Sequence, residues 1–175
     1  MKTAIEKLKA FDPAKQWVNV IIETPKGSPF KYVYTPESGL FRIKRALPPG
    51  MVFPFNYGFI PSTRGADGDP LDLIIIHDEP MAVGCHIHAR LLGVAKAEQT
   101  EHGKTMRNDR LLGALVDEET PAEYLATTFD RQKLVPMEFF FATYNRISGK
   151  DFRLLGLGDA TQARKIVRKG VIQSS

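Results

Sequence analysis

The sequence contains one cysteine, Cys85, among its 175 residues. A single thiol cannot form an internal disulfide, so the fold does not depend on crosslinks and a reducing compartment, the cytoplasm, is expected. No apolar run approaches the ~20 residues that a membrane-spanning helix needs, so no membrane partner is expected. The N-terminus is charged and lacks the continuous apolar core of a signal peptide. These absences argue against a disulfide-rich secreted protein and a helical membrane protein.

Internal repeats and low-complexity linkers are also absent, and 175 residues suffice for one hydrophobic core. We therefore expect a single domain over residues 1–175. Hydrophobic residues make up 43% and charged residues 25% of the chain, which is typical of a globular domain. The net charge of +4 permits an anionic partner but does not choose between nucleic acid, a membrane surface and small phosphates.

The first two-thirds of the chain has the pattern of β-strands separated by turn residues. Strands are predicted at Trp17–Thr24, Phe30–Thr35, Leu40–Leu47, Leu71–Ile76, Cys85–Lys96 and Arg110–Val116. The aromatic stretch Met51–Pro61 is interpreted as a loop whose rings pack on the core, and Glu98–Asn108 as a polar hairpin tip. Such a series of strands indicates a closed or nearly closed barrel.

Helical signals frame this run of strands. Helices are predicted at Lys2–Phe11, Pro121–Thr127, Pro136–Tyr144 and Asp159–Lys169. The last is the clearest, because Asp159 can cap its N-terminus and an apolar stripe follows at Ala163, Ile166 and Val167. The overall prediction is an α+β fold, built on a barrel with flanking helices.

The segment Asp67–Asp72, with the sequence DGDPLD, places three carboxylates at the start of a predicted strand. Asp, Gly and Pro are ordinary turn residues, so a polar turn would account for the first four positions. It would not account for Asp72, because a charge at the start of a buried strand is costly unless it is paired or bound to a metal. Carboxylate oxygens suit hard cations such as Mg²⁺, so a metal site is the favoured interpretation.

Other side chains suit phosphate chemistry. Lysine and arginine hold phosphate oxygens, and tyrosine hydroxyls donate to developing negative charge. A bound metal would lower the pKa of a water and neutralise a phosphate leaving group. The combination favours hydrolytic phosphoryl transfer, provided that these residues converge: Glu23, Lys31, Arg45, Tyr57, Arg110 and Tyr144.

A second group of possible metal ligands is Cys85, His86 and His88. Alternation along a strand places the two histidines on one face and Cys85 on the other, so one face cannot gather all three. A structural role is therefore expected for them.

The segment Asp67–Asp72 resembles the signature of the family I soluble inorganic pyrophosphatases. Further segments follow that family's order and spacing, so that the similarity covers about residues 17–170: Ile22–Pro25, Lys31–Tyr32, Glu37–Gly39, Asn56–Ile60, Leu92–Val94, Tyr144 and Gly149–Lys150. The resemblance implies Mg²⁺-dependent hydrolysis of pyrophosphate to two phosphates. It also implies a five-stranded OB-like β-barrel with flanking α-helices, usually assembled as a homo-oligomer and often as a hexamer.

The resemblance also implies individual roles. Asp67 and Asp72 would bind the activating Mg²⁺ ions, and Glu23 a further metal or its waters. Asp69 would hold and deprotonate the attacking water. The phosphoryl oxygens would be held by Lys31, Arg45, Tyr57 and Tyr144, and Tyr57 would also take part in catalysis. Arg110 stands where the family has a lysine, and Asp109 is a candidate for a further metal ligand.

Several positions depart from the family pattern. A family acid falls on Val33 and a family tyrosine on Phe53, and Asn145 replaces a phosphate-binding lysine. In the later acidic segment, Asn108 stands at the expected place of an aspartate, with Asp109 one residue on. These departures leave open a degenerate member that binds phosphate compounds without efficient hydrolysis.

A nucleic-acid-binding OB-like barrel is the remaining alternative, which the basic strand Leu40–Leu47 and the aromatic stretch would permit. The three aspartates of Asp67–Asp72 would repel a phosphate backbone unless metals cover them. Pyrophosphate, rather than nucleic acid, is therefore the expected partner.

Overall fold

The computed structural model describes residues 3–12, 17–116 and 135–172. In chain order the elements are α1 (Ala4–Lys7), β1 (Val18–Thr24), β2 (Phe30–Thr35), β3 (Leu40–Ala46), β4 (Asn56–Ile60), β5 (Leu71–Ile75), β6 (His86–Glu101), β7 (Lys104–Arg107), β8 (Arg110–Val116), α2 (Val135–Ile147), β9 (Asp151–Asp159) and α3 (Ala160–Gly170). The helix predicted at Pro121–Thr127 lies outside the described residues.

Five strands form a closed ring in the order β1–β4–β5–β8–β6, and β6 pairs again with β1. The β5–β8 pair is parallel and the other four pairs are antiparallel. The 16-residue β6 extends beyond the ring, where it pairs with β7 and β9. Strands β2 and β3 form a separate two-stranded ribbon. The ring with its helices confirms the predicted α+β fold and OB-like barrel.

Strand β5 is buried on both faces, which explains its unbroken apolar sequence. Leu73 and Ile75 pack in one core cluster, which α3 covers with Ala163 and Val167. Ile74 points the other way, into a second cluster that α2 covers with aromatic side chains. Because side chains alternate along a strand, Asp72 shares the face of Ile74 and points towards the α2 side of the barrel.

One segment of the barrel was misjudged from the sequence, and one strand was missed. The aromatic stretch is not all loop, because Asn56–Ile60 forms β4 between β1 and β5. Its Gly58 permits close strand contact, since a Cβ atom there would lie 2.4 Å from the Ile21 carbonyl oxygen. Strand β9 was not predicted at all. Charged residues and Gly156, with φ +148°, interrupt its apolar pattern.

The terminal helices differ in how well the sequence defines them. Helix α3 begins after Asp159, whose Oδ1 accepts the Gln162 N–H at 2.8 Å, as predicted. Helix α1 has only four residues, and Phe11 instead forms a β-bridge with Val18. Among the described residues, no helix combines the length and the hydropathy that crossing a membrane requires.

Candidate active site

Two adjoining cavities lie where β5 and β8 begin, each of about 170 Å³. We call the first the aspartate cavity; the side chains that line it include Asp67, Asp72, Asn108, Asp109 and Arg110. We call the second the basic cavity; its lining includes Glu23, Lys31, Arg45, Tyr57, Asp72, Arg110 and Tyr144. Asp72 and Arg110 line both, and their ion pair, 2.8 Å from Nη1 to Oδ2, lies between the two cavities.

The barrel's strand register explains why these residues converge. Leu73 of β5 is opposite Leu111 of β8 in the parallel pair, so the preceding residues, Asp72 and Arg110, are neighbours. Tyr57 of β4 is opposite Ile74, which shares a face of β5 with Asp72. Three residues that are far apart in the sequence therefore meet at one end of the α2 side of the barrel.

The aspartate loop leads directly into β5. Asp67 Oδ1 accepts the Asp69 N–H at 3.2 Å, and the Gly65 N–H donates to the Asp69 carbonyl at 2.7 Å. Gly68 has φ +90°, a conformation that favours glycine at this turn. The turn thus presents the exposed Asp67 to the aspartate cavity. Asp69 is exposed as well, but its side chain lines neither cavity, so its catalytic role stays a prediction.

The ribbon of β2 and β3 contributes two cations to the basic cavity. Lys31 and Arg45 are opposite each other in the ribbon. Lys31 Nζ lies 5.9 Å and the Arg45 guanidinium 5.7 Å from the centre of the Tyr144 ring, distances at which cation–π attraction holds. Arg45 Nη1 also donates to Ser148 Oγ. Two positive charges are thereby gathered around one tyrosine.

Tyr57 is held by aromatic packing, 5.2 Å from Phe53 and 5.9 Å from Phe141 between ring centres. Its hydroxyl oxygen is buried and has no hydrogen-bond partner among the described residues. Burial raises the pKa of this hydroxyl, so it stays a proton donor. An unpaired buried donor costs roughly 1–3 kcal/mol, which a ligand in the cavity would recover.

Glu23 and Asp72 are the acidic residues that line the basic cavity. Glu23 Oε1 accepts the Tyr34 N–H at 2.7 Å. Burial raises the pKa of this carboxyl to about 7, and the Tyr34 hydrogen bond offsets only part of the effect. A cation close to Glu23 would lower its pKa again, because a positive charge favours the ionised carboxylate.

Two polar side chains of the hairpin segment from Gln99 to Arg110, Asn108 and Asp109, already have partners close by. Arg107 Nη2 bonds both oxygens of Asp109, at 2.8 and 3.0 Å, and Asp109 Oδ1 also accepts the Ala97 N–H at 3.0 Å. Asn108 Nδ2 donates to Gln99 Oε1 at 3.0 Å, and its own Oδ1 accepts from Arg110. Asp109 therefore lines the aspartate cavity as a neutralised carboxylate, and its role as a metal ligand stays a prediction.

The comparisons with known proteins agree with this geometry. A family model described as inorganic pyrophosphatase matches residues 20–174. The chain belongs to the inorganic pyrophosphatase family. The inorganic pyrophosphatase of Thermus thermophilus is 32% identical over 169 residues, which cover 94% of each chain. That of Rhodospirillum rubrum is 34% identical over 172 residues, covering 95% of this chain and 94% of the relative.

Solved structures of the family share the fold. The inorganic pyrophosphatase of Helicobacter pylori gives a TM-score of 0.82 at 29% identity, covering 95% of this chain and 97% of that one. The Thermus thermophilus structure gives 0.80 at 30% identity, covering 97% of each chain. These matches confirm the resemblance that the sequence predicted, and membership of the family implies a divalent metal cofactor.

The donor set of this pyrophosphatase family member fits a hard divalent cation. Asp67, Asp72 and Asp109 offer only carboxylate oxygens to the aspartate cavity. In the described residues, no three acidic, histidine or cysteine side chains are close enough to form a ready-made metal cage. Mg²⁺ does not need one, because it keeps several waters and binds through one or two carboxylates together with phosphate oxygens of the substrate.

Five polar residues of the basic cavity were missed as site candidates: Thr24, Lys44, Gln99, Ser148 and Lys150. Lys150 bonds Glu101 at 2.9 Å, so it joins the β6–β7 hairpin to the segment that follows α2. Lys150 could have been found, because Gly149–Lys150 was part of the family resemblance. Gln99 and Ser148 had no such signal.

Proposed function

We infer that this chain hydrolyses inorganic pyrophosphate to two phosphates with a divalent cation, and we propose Mg²⁺ as that cation. One observation carries the inference. The Tyr57 hydroxyl has no partner among the described residues and belongs to the cavity where Lys31, Arg45 and Arg110 converge. A phosphate group in this cavity would accept the Tyr57 hydrogen bond and pair with the cations.

The chain's own residues have distinct tasks in this proposal. Asp67 and Asp72 would hold the cation next to the substrate, with Glu23 at a further metal or its waters. When bound, the cation would lower the pKa of the attacking water and offset the charge of the leaving phosphate. Asp109 is the candidate for a further ligand on the hairpin.

The reaction needs one proton acceptor. Asp69 would take a proton from the water as its oxygen bonds one phosphorus, while the bond from that phosphorus to the bridging oxygen breaks. The second phosphate leaves with the bridging oxygen. Lys31, Arg45 and Arg110 would hold the phosphoryl oxygens, and the Tyr57 hydroxyl would donate to one of them. Tyr144, set between Lys31 and Arg45, would complete the contact with phosphate.

The test measures phosphate release from pyrophosphate with and without Mg²⁺. We expect metal-dependent turnover that falls about 100-fold in Asp69→Asn, because a positioned base contributes that much to a proton transfer. Asp78→Asn is the matched control, an exposed aspartate in the loop after β5 that lines neither cavity. Absence of metal-dependent turnover, or equal activity in Asp69→Asn and the control, would refute the assignment.

The same preparation tests the two alternatives. A degenerate family member would bind pyrophosphate tightly in calorimetry without releasing phosphate, and fast turnover excludes it. A nucleic-acid-binding barrel would bind a single-stranded oligonucleotide with an affinity that falls steeply with salt. We expect turnover and no such binding.

We further propose that the chain acts in the cytoplasm and as a homo-oligomer, with a hexamer as the first state to test. The exposed Cys85 without a disulfide supports a reducing compartment. Large apolar side chains on α2 support assembly, because Val135 is 64% and Phe139 75% exposed. Sedimentation equilibrium of the purified chain measures the mass of the assembly. A monomer at micromolar concentration would contradict the proposed homo-oligomer.

A further inference from the structure

The Arg110 side chain lines both the aspartate cavity and the basic cavity. Its side chain is 16% exposed, and Nη1 alone makes the bond to Asp72, the bond to Asn108 Oδ1 and a longer one of 3.4 Å to the Asp109 carbonyl. The guanidinium lies over the Phe141 ring, 5.6 Å from its centre. Nε and Nη2 have no partner among the described residues, and the bonds of Nη1 to Asp72 and Asn108 fix the position of the guanidinium.

Asp72 is the carboxylate that Arg110 neutralises. With 43% of its side chain exposed, Asp72 is open to the aspartate cavity. Asp109 in that cavity is paired with Arg107, whereas Asp67 has no arginine partner among the described residues. A divalent cation bound there would lie close to the Arg110 guanidinium. Two cations at one carboxylate repel each other, so binding of the metal and pairing with Arg110 oppose each other.

We propose that Arg110 is a built-in counter-ion of Asp72 that a divalent cation displaces, and that the released guanidinium then binds phosphate in the basic cavity. Arg110 lines both cavities, so one side chain can serve both steps of this exchange. Metal binding thus prepares the phosphate site. The second step rests on the proposed function, whereas the first concerns only the metal and the protein.

The first test is calorimetric titration of the metal-free chain with Mg²⁺, without pyrophosphate. Arg110→Gln removes the competing charge, and we expect Mg²⁺ to bind about tenfold more tightly, because the binding-competent carboxylate is then always available. Lys31→Gln is the matched control, since it removes a charge from the basic cavity without touching Asp72. We expect it to change the affinity less than about threefold.

If Arg110 had only a structural role, Mg²⁺ affinity in Arg110→Gln would change in the opposite direction. If Arg110 only held the site together, its loss would weaken metal binding. An affinity in Arg110→Gln that is unchanged, weaker, or raised no more than in Lys31→Gln overturns the proposal. Should Arg110→Gln fail to fold, Arg110→Lys is the second variant, because it keeps the charge but loses the planar fork of donors. A Mg²⁺ affinity about threefold above that of the wild type would support the proposal. This value lies between those expected for the wild type and for Arg110→Gln. No gain over wild type overturns the proposal.

The second test measures binding of inorganic phosphate with and without saturating Mg²⁺. With Mg²⁺, we expect Arg110→Gln to weaken phosphate binding about tenfold, and without it less than about twofold, because Asp72 then still holds the guanidinium. Equal losses under both conditions overturn the exchange. If the chain has no pyrophosphatase activity but both titrations give these results, the counter-ion role stands and the proposed function fails.

Discussion

The loop that carries Asp67 and the hairpin that carries Asp109 face the same cavity, but they are prepared differently. Among the described residues, Asp67 accepts only a backbone N–H within its own turn. Asp109 is neutralised by Arg107 and also accepts the Ala97 N–H. Free carboxylate oxygens are what a hard cation needs, so we expect Asp67 to bind a metal more readily than Asp109. Two aspartates that line one cavity therefore differ in how many of their oxygens are already hydrogen-bonded.

The largest effect is expected from Asp72→Asn. It removes a carboxylate that the two cavities share and leaves Arg110 without its ion pair, so kcat/KM for pyrophosphate should fall about 100-fold or more, or roughly 3 kcal/mol in transition-state stabilisation. Asp109→Asn should cost about tenfold or less, because its charge is already offset. Steady-state kinetics with Mg²⁺ measure both. Equal losses in the two variants would remove the contrast between loop and hairpin.

Glu23 should make the stability of the metal-free protein depend on pH, unlike the exposed acids of the loop. Burial raises the pKa of Glu23 to about 7 from an ordinary value of 4.5. Between these values the folded chain keeps a proton that the unfolded chain has released. Protonated Glu23 therefore makes its full contribution to the free energy of unfolding below pH 4.5, and this contribution is lost as the pH rises through 7. We expect a loss of about 2 kcal/mol in the free energy of unfolding of the metal-free protein.

Urea unfolding at pH 5 and pH 8 with a chelator present measures this loss. Glu23→Gln, which cannot ionise, should flatten the pH dependence, whereas a substitution of the exposed Glu37 to Gln should leave it unchanged. If wild type and Glu23→Gln lose the same stability between the two pH values, Glu23 is not the group responsible.

Tyr57→Phe should separate stability from function. Removing a buried hydroxyl that has no partner relieves a desolvation penalty, so the free protein should gain up to about 1 kcal/mol in the free energy of unfolding. The same change removes a donor to phosphate, and activity should fall about tenfold. Chemical denaturation and the phosphate-release assay give the two values. A loss of stability would mean that the hydroxyl has a partner in the free protein.

The sequence predicted the parts of the fold whose patterns are strong. The apolar run of β5, the turn-bounded ribbon of β2 and β3, and the cap and stripe of α3 all appear within one or two residues of their predicted bounds. Strand β9 was missed because pairing with the long β6, rather than its own periodicity, makes it a strand. The same holds for β4, whose position depends on contact across Gly58.

The site was predictable as a set of residues but not as a network. Asp72 was expected to be paired or metal-bound, and the structure pairs it with Arg110. That partner follows from the parallel register of β5 and β8, which local sequence does not encode. Likewise, Asn108 looked like a weakened ligand, and its hydrogen bonds to Gln99 and Arg110 became evident only in three dimensions.

The smallest expected effect tests the hairpin itself. In Asn108→Asp, a carboxylate replaces the amide oxygen that accepts from Arg110, and the donation to Gln99 is lost. The new charge competes with Asp72 for the guanidinium, so Asp72 is free for a larger fraction of the time. We expect Mg²⁺ to bind about threefold more tightly in the absence of substrate.

A matched control separates this local competition from the added negative charge. Met106→Asp places the same charge on β7 of the hairpin, at a side chain that is 51% exposed and lines neither cavity. Solvent and salt screen a charge there, so its effect on Mg²⁺ affinity should be smaller. An equal gain in both variants would mean that Arg110 is not the link, and that the hairpin differs from the loop only in net charge. A gain confined to Asn108→Asp would show that the hairpin limits metal binding through the partner it gives to Asp72.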